Sequence, residues 1–422
     1  MTGSTFRGYC AFCASRDLEQ IIDFGEVALA GAFVKPQQFA TEPRYPLRVF
    51  FCPRCYALQL PDVVDPAELF ANYFYFSSAI RSLREHFLDY ASEVTARFLQ
   101  PSRATVVEIG CNDGILLKPL ADQGVRRPIG VDPASNIVQA IADPRITIVN
   151  DFFSSRVARA VRSEHGPADL IVANNVYAHI PEINDVTQGI AELLADDGVF
   201  VFEVHHLGSV LRGLQYDMIY HEHLYYYSLV ALENHLRRHG MVVFDLKRIP
   251  IHGGSIRYYA CKAGSRWAKA VTNRVLLLRQ DEAAQGLERV STFQHFAAQI
   301  ARRKETLMGF LGRLKGKRVA GYGASGRANT IIQYCGINHE HMAYMIDDAP
   351  AKWGYYTPGS HFEIRPADAL KSDRPDCLLV FAWGYLSEIA EKCKAYLDGG
   401  GRLLTPLPEV RLISHVNEST TL

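Results

Sequence analysis

The sequence predicts an α/β protein: two doubly wound, mostly parallel sheets preceded by a small cysteine-rich unit. Three observations carry that prediction. Two close cysteine pairs fall within the first 65 residues. Strand-like and helix-like segments alternate over residues 105–204 and again from Arg318 onward. A glycine turn closes the first strand of each alternating run. A chain of 422 residues has room for several domains at about 150 residues each. With 48% hydrophobic and 21% charged residues it can bury several cores and is too apolar for disorder.

Cys10-Ala-Phe-Cys13 and Cys52-Pro-Arg-Cys55 each set two thiolates on one tight knuckle. Two knuckles supply the four soft ligands that a tetrahedral zinc ion prefers. A redox CxxC needs only one pair and normally opens a helix after a strand. We therefore expect a structural zinc site formed by the four thiolates of Cys10, Cys13, Cys52 and Cys55. A closed site of this kind carries no chemistry of its own. The other five cysteines are scattered singly, which predicts reduced thiols.

From Asp65 to Gln100 the pattern turns helical, with Leu69, Leu83, Phe87 and Tyr90 recurring at helical spacings. An aromatic cluster, Tyr73-Phe-Tyr-Phe76, and Ser77-Ser78 lie within it. Strands are then expected at 105–110, 127–132, 146–149, 169–173 and 198–202, with helices between most of them. A long helical stretch from Ser265 to Lys315 separates this run from a second one, with strands at 318–321, 342–347 and 377–381.

The first glycine turn reads Val106-Val-Glu-Ile-Gly-Cys-Asn-Asp-Gly114. Gly110 and Gly114 let backbone approach a ligand where a side chain would collide. Asp132 ends the next strand, about 20 residues on, where an acid binds ribose hydroxyls. The turn lacks the Gly-x-Gly-x-x-Gly form shaped around a pyrophosphate, and Glu108 suits a cationic ligand better than a phosphate. These features resemble motif I of the class I methyltransferases, whose ligand is S-adenosylmethionine. On that resemblance Glu108, Gly110, Asn112, Gly114 and Asp132 hold the donor. Asp151 and Phe152 lie beside the adenine, and Asn174 and Asn175 near the sulfonium.

The densest chemical stretch is Asp217-Met-Ile-Tyr-His-Glu-His-Leu-Tyr-Tyr-Tyr-Ser228. Metal ligation is one reading, but His221 and His223 are two apart, about 200° apart on a helix, so joint ligation needs an irregular loop. A polar surface turn is another, with a real claim on His221. Acid–base chemistry accounts better for groups that titrate near neutrality.

Tyr220-His-Glu-His223, the cysteine pairs, Tyr75-Phe-Ser-Ser78 and Glu108-Ile-Gly-Cys-Asn-Asp-Gly114 together resemble the sugar C-methyltransferases of deoxysugar biosynthesis. Ile251-His-Gly-Gly-Ser-Ile-Arg257 and Tyr356-Thr-Pro-Gly-Ser-His361 extend the resemblance to nearly the whole chain. It implies a zinc domain at 1–68, a class I methyltransferase domain with a helical lead-in at 69–240, and a Rossmann-like domain at 241–422 that anchors the substrate. The implied substrate is a nucleoside-diphosphate 4-keto-6-deoxy sugar, thymidine-diphosphate-linked, methylated at C3 through an enolate. His223 is then the base, Glu222 orients it or the sugar, and Tyr220 and Tyr75 hydrogen-bond the enolate oxygen or a hydroxyl. Where the family often carries Ala-Trp-Asn, this chain has Ala382-Trp383-Gly384, a departure that bears on the sugar and its contacts.

The second glycine loop, Gly321-Tyr-Gly-Ala-Ser-Gly326, is a Gly-x-Gly-x-x-Gly sequence after a strand, and Asp347 follows at ribose-binding distance. Alone, it reads as an NAD-dependent oxidoreductase. The resemblance instead gives this half the sugar nucleotide, with Ser325, Arg327 and Lys352 toward its phosphates or hydroxyls. Ser77, His252 and His361, in the matching motifs, join them as substrate-binding candidates. A third reading is a non-catalytic zinc-ribbon binding module. Against it, 45 basic residues balance 45 acidic ones, which gives no global attraction for nucleic acid. No apolar run reaches the ~18 residues of a membrane span, and Met1-Thr-Gly-Ser-Thr-Phe-Arg7 lacks a secretory layout. We expect a cytoplasmic protein with neither membrane nor nucleic acid as partner.

Overall fold

The computed structural model describes residues 3–70, 77–79, 81–251, 253–415 and 418–421. Its N-terminal sheet is antiparallel, in the order Tyr225–Tyr226, Leu58–Gln59, Arg44–Phe51, Glu19–Ala28. Along Arg44–Phe51 the residues Tyr45, Leu47 and Val49 are buried between less buried neighbours, the period of two that a half-covered sheet requires. The outermost strand comes from the middle of the chain. Tyr225 pairs with Gln59 and Tyr226 with Leu58.

The central sheet has seven strands, in the order Met241–Ile249, Ser255–Lys262, Leu194–His205, Ala168–Asn174, Thr105–Ile109, Arg127–Val131, Thr147–Val149. The last five run parallel, and Ser255–Lys262 is antiparallel to both of its neighbours. This is the class I methyltransferase order. By sheet membership the central layer extends to Lys262, past the expected boundary at 240. The closing antiparallel hairpin has no crossover helix, so it breaks the rhythm by which the layer is recognised.

Helix Arg81–Phe98 covers one face of this sheet. Leu83, Phe87, Tyr90, Ala91 and Val94 are buried along it, a stripe at helical spacing. They pack with Val106, Leu170, Val172, Val199 and Val201. Each large apolar side chain so buried contributes about 1.5–3 kcal/mol; an acidic substitution at Phe87 would forfeit that and bury a charge.

Two helices, Asn273–Gln285 and Val290–Arg313, connect to the C-terminal sheet. Gly286, at φ +70°, ends the first in the left-handed conformation that glycine adopts without strain. Phe293, Phe296 and Ile300 form the inner face of the second, and Phe293 meets Phe51 of the N-terminal sheet with ring centres 4.7 Å apart. The C-terminal sheet runs Ile364–Arg365, Met345–Ile346, Val319–Tyr322, Cys377–Val380, Arg402–Thr405, Arg411–His415, Glu418–Thr421, the first five parallel. Among the described residues no helix is long and apolar enough to cross a membrane.

Open parallel sheets bind ligands beyond the carboxyl ends of their strands. Here the loops at those ends of both parallel sheets meet at residues 216–223, where the site is built.

Candidate active site

The four sulfurs of Cys10, Cys13, Cys52 and Cys55 lie within 4.8 Å of one another, with Cys10–Cys55 at 3.5 Å and Cys13–Cys52 at 3.6 Å. A tetrahedral zinc with metal–sulfur bonds of ~2.3 Å holds its sulfurs about 3.8 Å apart, so the set fits the ion. Buried Gln59 donates its side-chain amide to Cys10 Sγ at 3.1 Å and accepts from the Ala11 N–H at 2.9 Å. Hydrogen bonds from Cys52 and Cys55 lower the Cys10 thiol from its ordinary value.

The donor loop follows the wholly buried strand Thr105–Ile109. Gly110, Asn112 and Gly114 all have positive φ. A side chain at 110 would lie 2.3 Å from Val176 Cγ2, so only glycine fits. Asp132 accepts the Asn112 N–H on one oxygen and the Ala134 N–H on the other, both at 2.9 Å. Each oxygen keeps a lone pair for a ligand hydroxyl. Burial raises the Asp132 pKa, and the two N–H groups oppose that shift.

Glu108 is raised well above the usual carboxylate range, first by burial and then by the charge of Asp132, with the Asn174 side chain opposing. Among the described residues Glu108 Oε2, Asp113 Oδ1 and Asn175 Oδ1 are buried without partners. Orphaned acceptors of this kind are costly unless something satisfies them. A ligand carrying an ammonium and a sulfonium beside ribose hydroxyls does so, and S-adenosylmethionine fits. Phe152 is 45% exposed, a ring face open to an adenine. Asp151 instead spends its carboxylate on Arg156 at 2.5 Å and on the Phe152 N–H.

Ser77 sits on this loop as well. Its N–H donates to Asn112 Oδ1 at 3.0 Å, and that of Ser78 to Asp113 Oδ2 at 3.1 Å. Tyr75 and His252 lie outside the described residues.

The catalytic candidates converge. His223 Nδ1 lies 2.7 Å from the Met218 carbonyl oxygen. A carbonyl only accepts, so Nδ1 carries the proton and Nε2 is the basic nitrogen. The His223 ring centre is 4.1 Å from that of Tyr220, 5.1 Å from His179 and 5.6 Å from His205. His179 and His205 escaped the sequence reading. Both stand just past or at the carboxyl end of a parallel strand, Ala168–Asn174 and Leu194–His205, which is the signal that would have found them. Burial, then the charge of His223, holds His179 well below its ordinary value.

Burial pushes Glu222 up to about 7. A side chain at position 31 would stand 3.3 Å from its Oε1, so Gly31 of the N-terminal unit leaves that carboxyl its room. His221 points the other way. Its Nε2 donates to the Pro46 carbonyl at 3.2 Å, and burial drives it down to about 4. It is a packing residue: the turn at residues 220–223, not a strand, carries both rings and aims His221 at Pro46 while His223 bonds Met218. Among the described residues the four cysteines form the one group able to hold a metal.

The second glycine loop closes over the same cluster. A side chain at 326 would sit 3.4 Å from Ala30 and 3.7 Å from the Tyr220 ring. Ser325 caps the helix Gly326–Cys335 by accepting the Ala328 N–H. Lys352 bonds the Ala324 carbonyl at 2.7 Å and pairs with Asp347 at 3.1 Å. The acid that would hold a dinucleotide ribose is therefore neutralised by its own chain, which weighs against the oxidoreductase reading. Arg327 bonds Asp217 at 2.8 Å. His361 lies apart, stacked 3.9 Å from Phe39 and bonded to Glu42 at 2.8 Å, at the seam with the N-terminal unit.

Three family models match in chain order: a zinc binding domain over residues 10–70, a methyltransferase domain over 82–246 and a C-methyltransferase C-terminal domain over 250–408. The chain is similar to C-methyltransferase NovU of Streptomyces niveus, 33% identical over 410 residues that cover 96% of each protein. Among solved structures it is similar to the CcbJ methyltransferase of Streptomyces caelestis, 16% identical over 42% of this chain and 89% of that one, TM-score 0.34. Magnesium protoporphyrin IX methyltransferase of Synechocystis PCC 6803 gives 15% identity over 42% and 79%, TM-score 0.33. Scores this low add nothing to the sequence relationship. On the full-length match and the three domains, the chain belongs to the C-methyltransferase family and is an S-adenosylmethionine-dependent methyltransferase with an N-terminal zinc-binding domain.

Proposed function

We propose that the acceptor is a nucleoside-diphosphate 4-keto-6-deoxy sugar, thymidine-diphosphate-linked, and that the methylated carbon is C3. The observation that carries this reading is the anchored His223. A base with one fixed tautomer, walled by Tyr220, His179 and His205 beside the donor strands, suits removal of a proton from a carbon acidified by a neighbouring ketone. In this reading His223 Nε2 takes the C3 proton. Tyr220, with Tyr75, hydrogen-bonds the oxygen on which charge develops. Glu222, pushed up to about 7 by burial, donates in its protonated form to that oxygen or to a sugar hydroxyl. Glu108, Asn112, Asp132, Asn174 and Asn175 hold the donor, which when bound supplies an electrophilic methyl group to the carbanion. In this reading Arg327, Ser325 and Lys352, at the second glycine loop, serve the nucleotide. The cysteines outside the zinc set are unpaired and buried, which suits a reducing compartment such as the cytoplasm.

The test is methyl transfer itself. Thymidine-diphosphate 4-keto-6-deoxyhexose and donor, incubated with the enzyme, should give a product with one new methyl at C3 by NMR. Methylation at oxygen, or none with any nucleotide-linked 4-keto sugar, would overturn the reading.

A further inference from the structure

We propose that Asp217 is a positioning residue that ties the second glycine loop to the orientation of His223. The proposal rests on the reading of His223 as base toward a nucleotide sugar.

Asp217 is fully buried in the short turn Tyr216–Met218. Its Oδ2 accepts from Arg327 Nε at 2.8 Å and from Trp383 Nε1 at 2.9 Å. Both donors belong to the C-terminal sheet's loops: Arg327 lies in the first turn of helix Gly326–Cys335, and Trp383 follows strand Cys377–Val380. From the same helix Thr330 donates to the Ile219 carbonyl at 3.0 Å. The carbonyl of the next residue after Asp217, Met218, is the one that fixes the His223 tautomer. The turn that aims the base is thus held by side chains from the other parallel sheet.

Arg–carboxylate pairs frequently use the two-pronged fork, with two parallel N–H···O bonds. This one does not. Among the described residues Asp217 Oδ1 and Arg327 Nη2 are both buried without partners, so the guanidinium spends Nε on Asp217 and leaves an Nη donor unspent. An anionic oxygen of the acceptor's diphosphate is the chemistry that would satisfy it. Acceptor binding and base orientation then share one guanidinium, with Asp217 as the link.

Single-turnover methyl transfer by Asp217→Asn is expected to fall about 10–100-fold, the scale of loss when a reacting group is displaced by about an ångström, with donor affinity by calorimetry unchanged. Two readouts separate positioning from mere stability. In a double-mutant cycle, Asp217→Asn should cost little once Arg327→Gln is present; losses that multiply independently would overturn the link. Nitrogen NMR of the His223 ring, which needs no acceptor, should show the Nδ1–H tautomer in the wild type and a tautomer mixture in Asp217→Asn. An unchanged ring would also overturn the link. If Asp217→Asn does not fold, Trp383→Phe removes one donor, keeps the carboxylate and takes the same two readouts. A wild-type enzyme that methylates no nucleotide sugar defeats the proposed acceptor, while the ring tautomer still decides the role of Asp217.

Discussion

Gln59 pairs through its backbone with Tyr225 across the edge of the N-terminal sheet, while its side-chain amide donates to Cys10 Sγ at 3.1 Å. One residue therefore touches the zinc set and the strand that continues directly from the His223 loop. Leu60 and Ala178 clamp the same loop, through the Leu60 N–H to the Leu224 carbonyl and the Leu224 N–H to the Ala178 carbonyl.

The zinc unit thus packs against the candidate site, and on the proposed reading metal loss should reach the chemistry. Metal-binding energy in such knuckles is folding energy. Cys52→Ser should lower zinc content and thermal stability. In protein that remains folded, methyl transfer should drop while donor affinity holds, because the donor loop is built from the central sheet and the lead-in residues Ser77 and Ser78. Equal loss of donor binding and methyl transfer, in folded protein, would contradict this division.

The Glu222 carboxyl carries a second prediction, in pH. Its folded pKa is raised by burial to about 7 from an ordinary 4.5, so the folded state holds the proton more tightly than the unfolded state. Stability from this group is full below the unfolded value and is lost as pH rises through the folded one. Glu222→Gln removes that loss. Its melting temperature should gain on the wild type as pH rises from 5 to 8 (thermal melts across about that range suffice). A difference that stays flat with pH would place the carboxyl in water instead.

Asp132 grips the Asn112 and Ala134 N–H groups, and on the proposed reading it also binds the donor's ribose hydroxyls. Asp132→Ala should weaken S-adenosylmethionine binding by about 1–3 kcal/mol, the range for charge-assisted hydrogen bonds. Calorimetry showing unchanged affinity would remove Asp132 from the ribose role.

What could be read in the sequence follows from what leaves a local pattern. The parallel strands were legible because they are short apolar runs ending in glycine or acid, as at Gly110 and Asp132. The cysteine knuckles were legible because their spacing is itself the geometry. The hairpin Met241–Ile249 and Ser255–Lys262 was not, since an antiparallel pair added to a parallel sheet carries no crossover helix. Nor was the edge strand Tyr225–Tyr226, whose two residues are too few for any period.

The site was legible as residue types and illegible as partnerships. Glu203 and Arg257 look unremarkable in the chain, yet they form a buried pair at 2.6 Å, with His86 on the same carboxylate at 2.9 Å. Asp217 meets Arg327 across 110 positions. Pairing at such separation is decided by how the sheets pack, which no local window contains.

The central claim is that His223 removes the acceptor's proton through Nε2. Single-turnover methyl transfer by His223→Ala, with donor and a 4-keto sugar nucleotide saturating and chemistry rate-limiting, tests it most directly. The account predicts a fall of about 10²–10⁴-fold, the usual cost of losing a general base, with donor affinity intact. A His223→Ala enzyme that methylates at nearly the wild-type rate would contradict it and move the base to Glu222 or Tyr220.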